Sequence, residues 1–203
     1  MSGKFVLLIG GVPGVGKSSI SGYIARKLAI DIVLSGDYLR EFARGTVTGD
    51  KLETLNSSVY ESWKKYGEMN RENIIRGFTD QSEALMHGFS RIIDRAFTNG
   101  EKLIIETLYF IPEMIPQDTL KECASLYLYI SDRDVHRNRL IDRTNFTHVN
   151  SSGERLASHL YEYRLMMERS IESADRMQIL TLDTMDYEGA REKALKYAEE
   201  HLG

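Results

Sequence analysis

The spacing of apolar residues changes in a regular way along the chain. Phe5 to Ile9 is an unbroken apolar run stopped by glycines, the pattern of a strand buried on both faces of a parallel sheet. Beyond the glycines, Ile20, Ile24 and Leu28 recur one helical turn apart, which predicts an amphipathic helix from Lys17 to Leu28. A second apolar run, Ile30 to Leu34, stops at Ser35-Gly36, and a short helix is predicted to start at Asp37. Residues 45–67 mix Thr, Ser, Gly and charge with weak periodicity, and no element is predicted there.

From Asn70 to Thr98 the residues Ile74, Ile75, Phe78, Leu85, Met86, Phe89, Ile92, Ile93 and Ala96 keep a helical period, broken only at Gln81-Ser82. One long helix is predicted, closed by Asn99-Gly100. Lys102 to Glu106, Ser125 to Ile130 and Met177 to Leu182 read as three further strands, and residues 187–202 as a final amphipathic helix. Ser131 with Asp134, and Ser151 with Glu154, have capping-box spacing, so helices are predicted to begin near residues 132 and 152. Strands alternating with helices imply an α/β three-layer sandwich around a five-stranded, mostly parallel sheet with right-handed crossovers.

Length and composition narrow the picture. The 203 residues suit one domain, here 1–203, with a core of ordinary size. A formal net charge of -4 offers no electrostatic attraction for nucleic acid or an anionic membrane, so neither is expected as a partner. The lone Cys123 cannot form an internal disulfide. No stretch approaches the ~18 to 20 consecutive apolar residues of a membrane span. A soluble protein of the reducing cytoplasm is expected.

The chemistry starts after the first strand. Gly11-Val12-Pro13-Gly14-Val15-Gly16-Lys17-Ser18 satisfies G-x-x-x-x-G-K-[ST] between a strand and a helix, which is the context of a phosphate-binding loop. The glycines let backbone N–H groups converge on one anion, and the positive end of the helix, where Ser19 also lies, points at the same place. Lys17 supplies a point charge for the β- and γ-phosphates, and Ser18 is placed to coordinate Mg²⁺. ATP with Mg²⁺ is the expected occupant. A regulatory GTPase would add a D-x-x-G switch in mid-chain and an N-K-x-D guanine reader; Asp186-Tyr187-Glu188-Gly189 comes only after the last strand, and no reader is present. The L-S-G-G-Q signature of transporter ATPases fails after Leu34-Ser35-Gly36.

Asp37-Tyr38-Leu39-Arg40 places an acid and a base just past the second strand, on the edge of the sheet that faces the ligand crevice. With a helix starting at Asp37, Arg40 lies one turn on, and the two suit an acceptor hydroxyl and an acceptor anion. Simple capping by Asp37, or an ion pair of Arg40 with Glu41 or Asp37, would explain the same residues. Glu106, closing the third strand, is a candidate for the acceptor side, for orienting the nucleophile or for the water shell of the metal, with plain strand termination as its alternative. Arg133, Arg137, Arg139 and Arg143 fall within one helix length; they form either a cationic lid over the nucleotide, about residues 132–165, or a solvated helix paired locally with Asp132, Asp134 and Asp142. Arg155, Tyr161 and Arg164 interrupt the apolar positions of the next helix, with one or two within reach of substrate phosphate, while His136 reads as a surface histidine.

Together the phosphate loop, S-G-D-Y-L-R-E-F, Ser57-Ser58 with Trp63, Gln81-Ser82, the strand L-I-I-E and I-S-D-R-D-V-H-R-N-R resemble the 2-phosphoglycerate kinase family, over most of the chain. The resemblance implies a P-loop fold like that of nucleoside monophosphate kinases and transfer from ATP to 2-phosphoglycerate, giving 2,3-bisphosphoglycerate. It implies that Asp37 activates or orients the acceptor hydroxyl, that Arg40 binds acceptor phosphate or carboxylate, and that Arg137, Arg139 and Arg143 close the lid. Where that family tends to read E-G-V-H after the third strand, this chain has Glu106-Thr107-Leu108-Tyr109, so another small acceptor such as a nucleotide, a nucleoside or a sugar acid stays open. An ATP-dependent switch acting on a protein partner is the alternative from another class.

Overall fold

The computed structural model describes residues 3–142 and 153–202. Its sheet has five strands among the described residues: β1 (Phe5–Gly10), β2 (Ile32–Ser35), β3 (Lys102–Thr107), β4 (Ala124–Tyr129) and β5 (Leu180–Asp183). They are ordered β2-β3-β1-β4-β5 and every pairing is parallel. β1, flanked on both sides by strands and on both faces by helices, is buried along its whole length, which is why its sequence carries no polar residue. The edge strand β2 leaves Ile32 and Val33 37% and 39% exposed.

Helix α1 (Lys17–Leu28) packs with α9 (Tyr187–Leu202), and α4 (Arg71–Asn99) packs with α8 (Leu160–Arg176), each pair also touching the sheet. The result is the predicted α/β sandwich with helices on both faces. The connecting helices are α2 (Gly36–Thr46), α3 (Asp50–Asn56), α5 (Gln117–Glu122), α6 (Arg133–Asp142) and α7 (Gly153–Ser158). No helix of the described residues is long and apolar enough to cross a membrane.

Two strands start later than their apolar runs. Ala29 takes φ 49 and the Ile30 N–H returns to the Ala25 carbonyl, so the first of these residues finishes α1 rather than starting β2. Gln178, at φ 55, and Ile179 close α8 in the same way, and β5 begins at Leu180. The long helix runs unbroken through Gln81-Ser82 because both polar side chains are occupied: Ser82 donates to the Phe78 carbonyl at 2.8 Å, and the Gln81 amide donates to the carbonyls of Thr54 at 2.8 Å and Ser57 at 2.9 Å. Those bonds tie down residues 45–67, whose weak periodicity resolves into α3 and a 3₁₀ segment, Val59–Tyr66, braced by Trp63 Nε1 donating to the Tyr60 carbonyl at 3.0 Å.

The connection from β3 to α5 is fastened to α8 by Glu113, which lies between Arg169 and Arg176, with the Arg176 guanidinium at 2.8 Å. Partial burial pushes the Glu113 carboxyl up, but the two guanidinium groups outweigh it and hold the group at about 2. An unfolded chain titrates this carboxyl near ~4.3, so the stabilisation is complete above that value and disappears as pH falls towards 2. Because Arg176 is 54% exposed, solvent screening limits the effect to about 1 kcal/mol at pH 7. Denaturant unfolding of Glu113→Gln beside the parent should show a gap at pH 7 that narrows steadily below pH ~5. A gap independent of pH would contradict the ion-pair account.

Candidate active site

The phosphate loop leaves β1 at Gly10 and enters α1 at Lys17. Gly14 and Gly16 take φ 88 and φ 89, left-handed values that side chains resist. Space is missing there too: a Cβ on Gly14 would lie 3.1 Å from both His136 Cδ2 and Leu140 Cδ2, and one on Gly16 would lie 2.9 Å from the Tyr187 ring. The loop is thus gripped between α6 and the start of α9. No acidic residue occupies the first turn of α1, so the dipole and free N–H groups at its start remain available to an anion. Lys17 reaches back over the loop, with Nζ 3.2 Å from the Val12 carbonyl, and Ser19 is exposed on the same first turn.

Glu106 meets this loop from the sheet. Its position in the parallel register pairs it with Ile9 on one side and Ser35 on the other, which brings the ends of β1, β2 and β3 to one spot. Glu106 is 7% exposed, and Ser18 Oγ donates to its Oε1 at 3.1 Å. A hydroxyl and a carboxylate adjoining a phosphate cradle are hard oxygen ligands of the kind Mg²⁺ accepts, with phosphate and water completing its shell. Of the roles expected for Glu106, this geometry favours the metal side. Among the described residues no cluster of three or more His, Cys, Asp or Glu forms a metal cage of its own.

Asp37 and Arg40 separate. The cap position of α2 is Ser35, so Asp37 sits inside the first turn, exposed, and makes no hydrogen bond or ion pair among the described residues. Arg40 turns away from it: its guanidinium donates to the carbonyls of Leu55 and Ser57, the latter at 2.7 Å, and pairs with Glu41 at 2.8 Å. That side chain, 12% exposed, braces the end of α3, and both terminal nitrogens of its guanidinium are engaged with protein. The start of α2 sits directly on β3, since a Cβ on Gly36 would come within 2.6 Å of Thr107 Cβ and 3.1 Å of Thr107 Cα. Thr107 Oγ1 in turn accepts the Tyr109 N–H at 3.0 Å. Tyr109 is almost wholly buried, which pushes its phenol well above the ordinary value; the charge of Arg40 pulls it down and that of Asp37 pushes it further up.

In the cationic segment the cap of α6 is Asp132 rather than Ser131: its Oδ1 accepts the N–H groups of Asp134 and Val135, both at 2.8 Å. Arg133 and Arg137 are exposed and make no hydrogen bond or ion pair among the described residues. Arg139 is committed to Thr184, whose hydroxyl and carbonyl lie 3.2 and 2.8 Å away. Arg164 holds the carbonyls of Ile130 at 2.7 Å and Ser131 at 3.1 Å, which fixes the exit of β4. Arg143 and the middle of the expected lid lie outside the described residues. His136 corrects the sequence reading: it is 0% exposed, with Nε2 2.8 Å from the Pro13 carbonyl. Starting the helix at Asp132 puts His136 and Leu140 on one face, and that face lies on the loop.

Sequence reasoning missed Tyr187, whose ring packs on Gly16, Thr107, which packs on Gly36, and Thr184, which holds Arg139. Nothing in their neighbours marks them out, since each contact joins positions remote in sequence. For His136 a signal existed in its i, i+4 relation to Leu140.

The family model described as AAA domain matches residues 10–156. The chain is similar to mevalonate-3-phosphate 5-kinase of Thermoplasma acidophilum, 53% identical over 94% of this chain and 93% of that protein. It is also similar to 2-phosphoglycerate kinase of Methanocaldococcus jannaschii, 28% identical over 97% of this chain; here the chain spans 64% of the relative's length. Among solved structures, shikimate kinase from Acinetobacter baumannii in complex with shikimate shares the fold, with TM-score 0.55, 15% identity and coverage of 99% of this chain and 94% of that one.

The contact between Gly36 and Thr107 can be tested directly. Gly36→Ala has to lift the start of α2, and Asp37 with it, off β3, at a cost of about 1–3 kcal/mol. Turnover should fall at least ~10-fold while nucleotide affinity holds, because the loop is anchored elsewhere. Calorimetric titration with ADP beside steady-state rates separates the two effects.

Proposed function

The chain belongs to the family described as AAA domain and is an ATP-dependent small-molecule kinase, and from that premise we propose that it phosphorylates the 5-hydroxyl of mevalonate 3-phosphate. The observation that carries this reading is the 53% identity to mevalonate-3-phosphate 5-kinase, extending over 94% of this chain. The 2-phosphoglycerate kinases resemble the chain at a lower level, and 2-phosphoglycerate is the second candidate acceptor. The residues at the end of β3 support the preference, since Thr107-Leu108-Tyr109 stands where the latter family tends to read differently and Tyr109 lies within the field of Asp37.

In this mechanism Gly11 to Ser19 hold the triphosphate, with the N–H groups of the loop and of the first turn of α1 directed at it. Lys17 gives up its contact with the Val12 carbonyl and moves to the β- and γ-phosphates. Ser18 and Glu106 would hold a Mg²⁺ ion, which would supply neutralising charge for the transferred group. Asp37, exposed in the first turn of α2 and unbonded among the described residues, orients the acceptor hydroxyl and receives its proton. The hydroxyl oxygen forms a bond to the γ-phosphorus as the bond from phosphorus to the β-bridging oxygen breaks, which yields ADP and a bisphosphorylated acid. Arg133 and Arg137, free of protein partners among the described residues, suit the spreading charge of the transfer and the phosphate already on the acceptor. Residues 132–165 act as the closing segment in this reading. Arg40, Arg139 and Arg164 contribute by holding α3, the β5–α9 connection and the exit of β4 in place.

A coupled ADP-release assay with Mg·ATP tests the proposal. The panel is mevalonate 3-phosphate, mevalonate, 2-phosphoglycerate, 3-phosphoglycerate, nucleoside monophosphates and no acceptor, with Lys17→Ala as control. Turnover on mevalonate 3-phosphate, at least ~100-fold above every other member, is the expected outcome. Turnover confined to 2-phosphoglycerate would overturn the acceptor and keep the chemistry. Slow hydrolysis indifferent to all acceptors would favour an ATP-driven switch.

A further inference from the structure

His136 has chemistry that the phosphoryl-transfer account does not use. It is fully buried, and its Nε2 lies 2.8 Å from the carbonyl oxygen of Pro13 inside the phosphate loop. A carbonyl only accepts, so the proton sits on Nε2. The other ring nitrogen, Nδ1, is buried without a hydrogen-bond partner among the described residues, which agrees with its being the unprotonated one. Burial, and the positive charges of Arg164, Arg139 and Lys17 around the ring, favour the neutral form against the pull of the Pro13 carbonyl. The ring also packs on the loop itself, since its Cδ2 and the neighbouring Leu140 Cδ2 fill the space that a side chain at Gly14 would need.

We propose that His136 is a positioning residue for the phosphate loop: it fixes the Pro13 carbonyl outwards, away from the phosphates, and docks α6 with its arginines onto the nucleotide site. Two observations carry this, the hydrogen bond to Pro13 and the contact across Gly14. The physical argument concerns direction. A phosphate cradle needs each loop N–H turned inwards and each loop carbonyl turned outwards, where an oxygen pointing in would repel the anion. Lys17 holds the Val12 carbonyl only until nucleotide draws the ammonium away. His136 holds the next carbonyl with a donor that carries no charge and has no competing partner among the described residues. Because the same ring belongs to α6, the bond also sets the distance between the loop and Arg133 and Arg137.

The test compares three substitutions by ADP titration calorimetry and by steady-state kinetics with ATP varied. His136→Gln places an amide N–H near the position of Nε2, whereas His136→Asn is too short to reach Pro13, and His136→Leu keeps the bulk without a donor. The Asn and Leu variants should bind ADP about 10- to 100-fold more weakly, with the KM for ATP raised in proportion. The Gln variant should recover most of that loss. Equal ADP affinity in the Asn and Gln variants would overturn the proposal, as would parent-like ADP affinity in either donor-less variant. Thermal unfolding of each variant without nucleotide identifies loss of the fold, and because Asn is as polar as Gln, that pair alone decides the matter if the Leu variant fails to fold. ADP binding needs no acceptor, so the outcome is independent of which acid the enzyme phosphorylates.

Discussion

The arrangement depends on one constraint: a short stretch of backbone has to turn its N–H groups towards a single point without its own side chains in the way. Left-handed glycines make that turn, and the space they leave is filled from outside by His136, Leu140 and the ring of Tyr187. Elements far apart in sequence are therefore brought to the loop by the absence of Cβ atoms. A glycine there does more than permit a conformation; it lets α6 and α9 approach to van der Waals distance, and both helices are then fixed relative to the phosphates. The sheet contributes the remaining coordinate, because the parallel register that sets Glu106 beside Ile9 and Ser35 delivers its carboxylate to Ser18.

The phosphate-loop motif was legible in the sequence because its signal is local. Eight consecutive residues carry the loop, and apolar runs on either side say strand and helix. The five strands, the long α4 and the parallel order follow from period and alternation alone. Boundaries shifted where a helix closed through left-handed Ala29 and Gln178, residues whose type gives little warning of that conformation. The weakly patterned residues 45–67 became ordered through Gln81 and Arg40, two long side chains that satisfy backbone carbonyls of α3 and the turn after it. Such bonds join positions remote in sequence and leave no periodic trace.

Arginines show the same limit from the other side. Arg40, Arg139 and Arg164 fit an anion-binding pattern by spacing, yet in the fold each donates to main-chain carbonyls. A guanidinium is the side chain best suited to grip two carbonyls at once, so a basic cluster near a phosphate site mixes structural struts with groups left open to ligand. Only three-dimensional bookkeeping of donors separates them, and among the described residues it leaves Arg133 and Arg137 open.

Acceptor choice follows from how the site divides. In the proposed mechanism the loop, Lys17 and the pair Ser18 and Glu106 serve triphosphate and metal, which every acceptor would share, so preference among acceptors falls to the other wall of the site. The start of α2 and the residues after β3 form the other wall, and Gly36 against Thr107 welds them into one unit. Tyr109 lies under this wall, its ring buried and within the fields of Asp37 and Arg40. A larger or smaller residue at 107–109 would therefore shift the acid as well as the pocket, which couples the size of the acceptor to the placement of its hydroxyl. On the proposed mechanism that coupling makes residues 107–109 the place where acceptor preference is set while the phosphate loop stays unchanged.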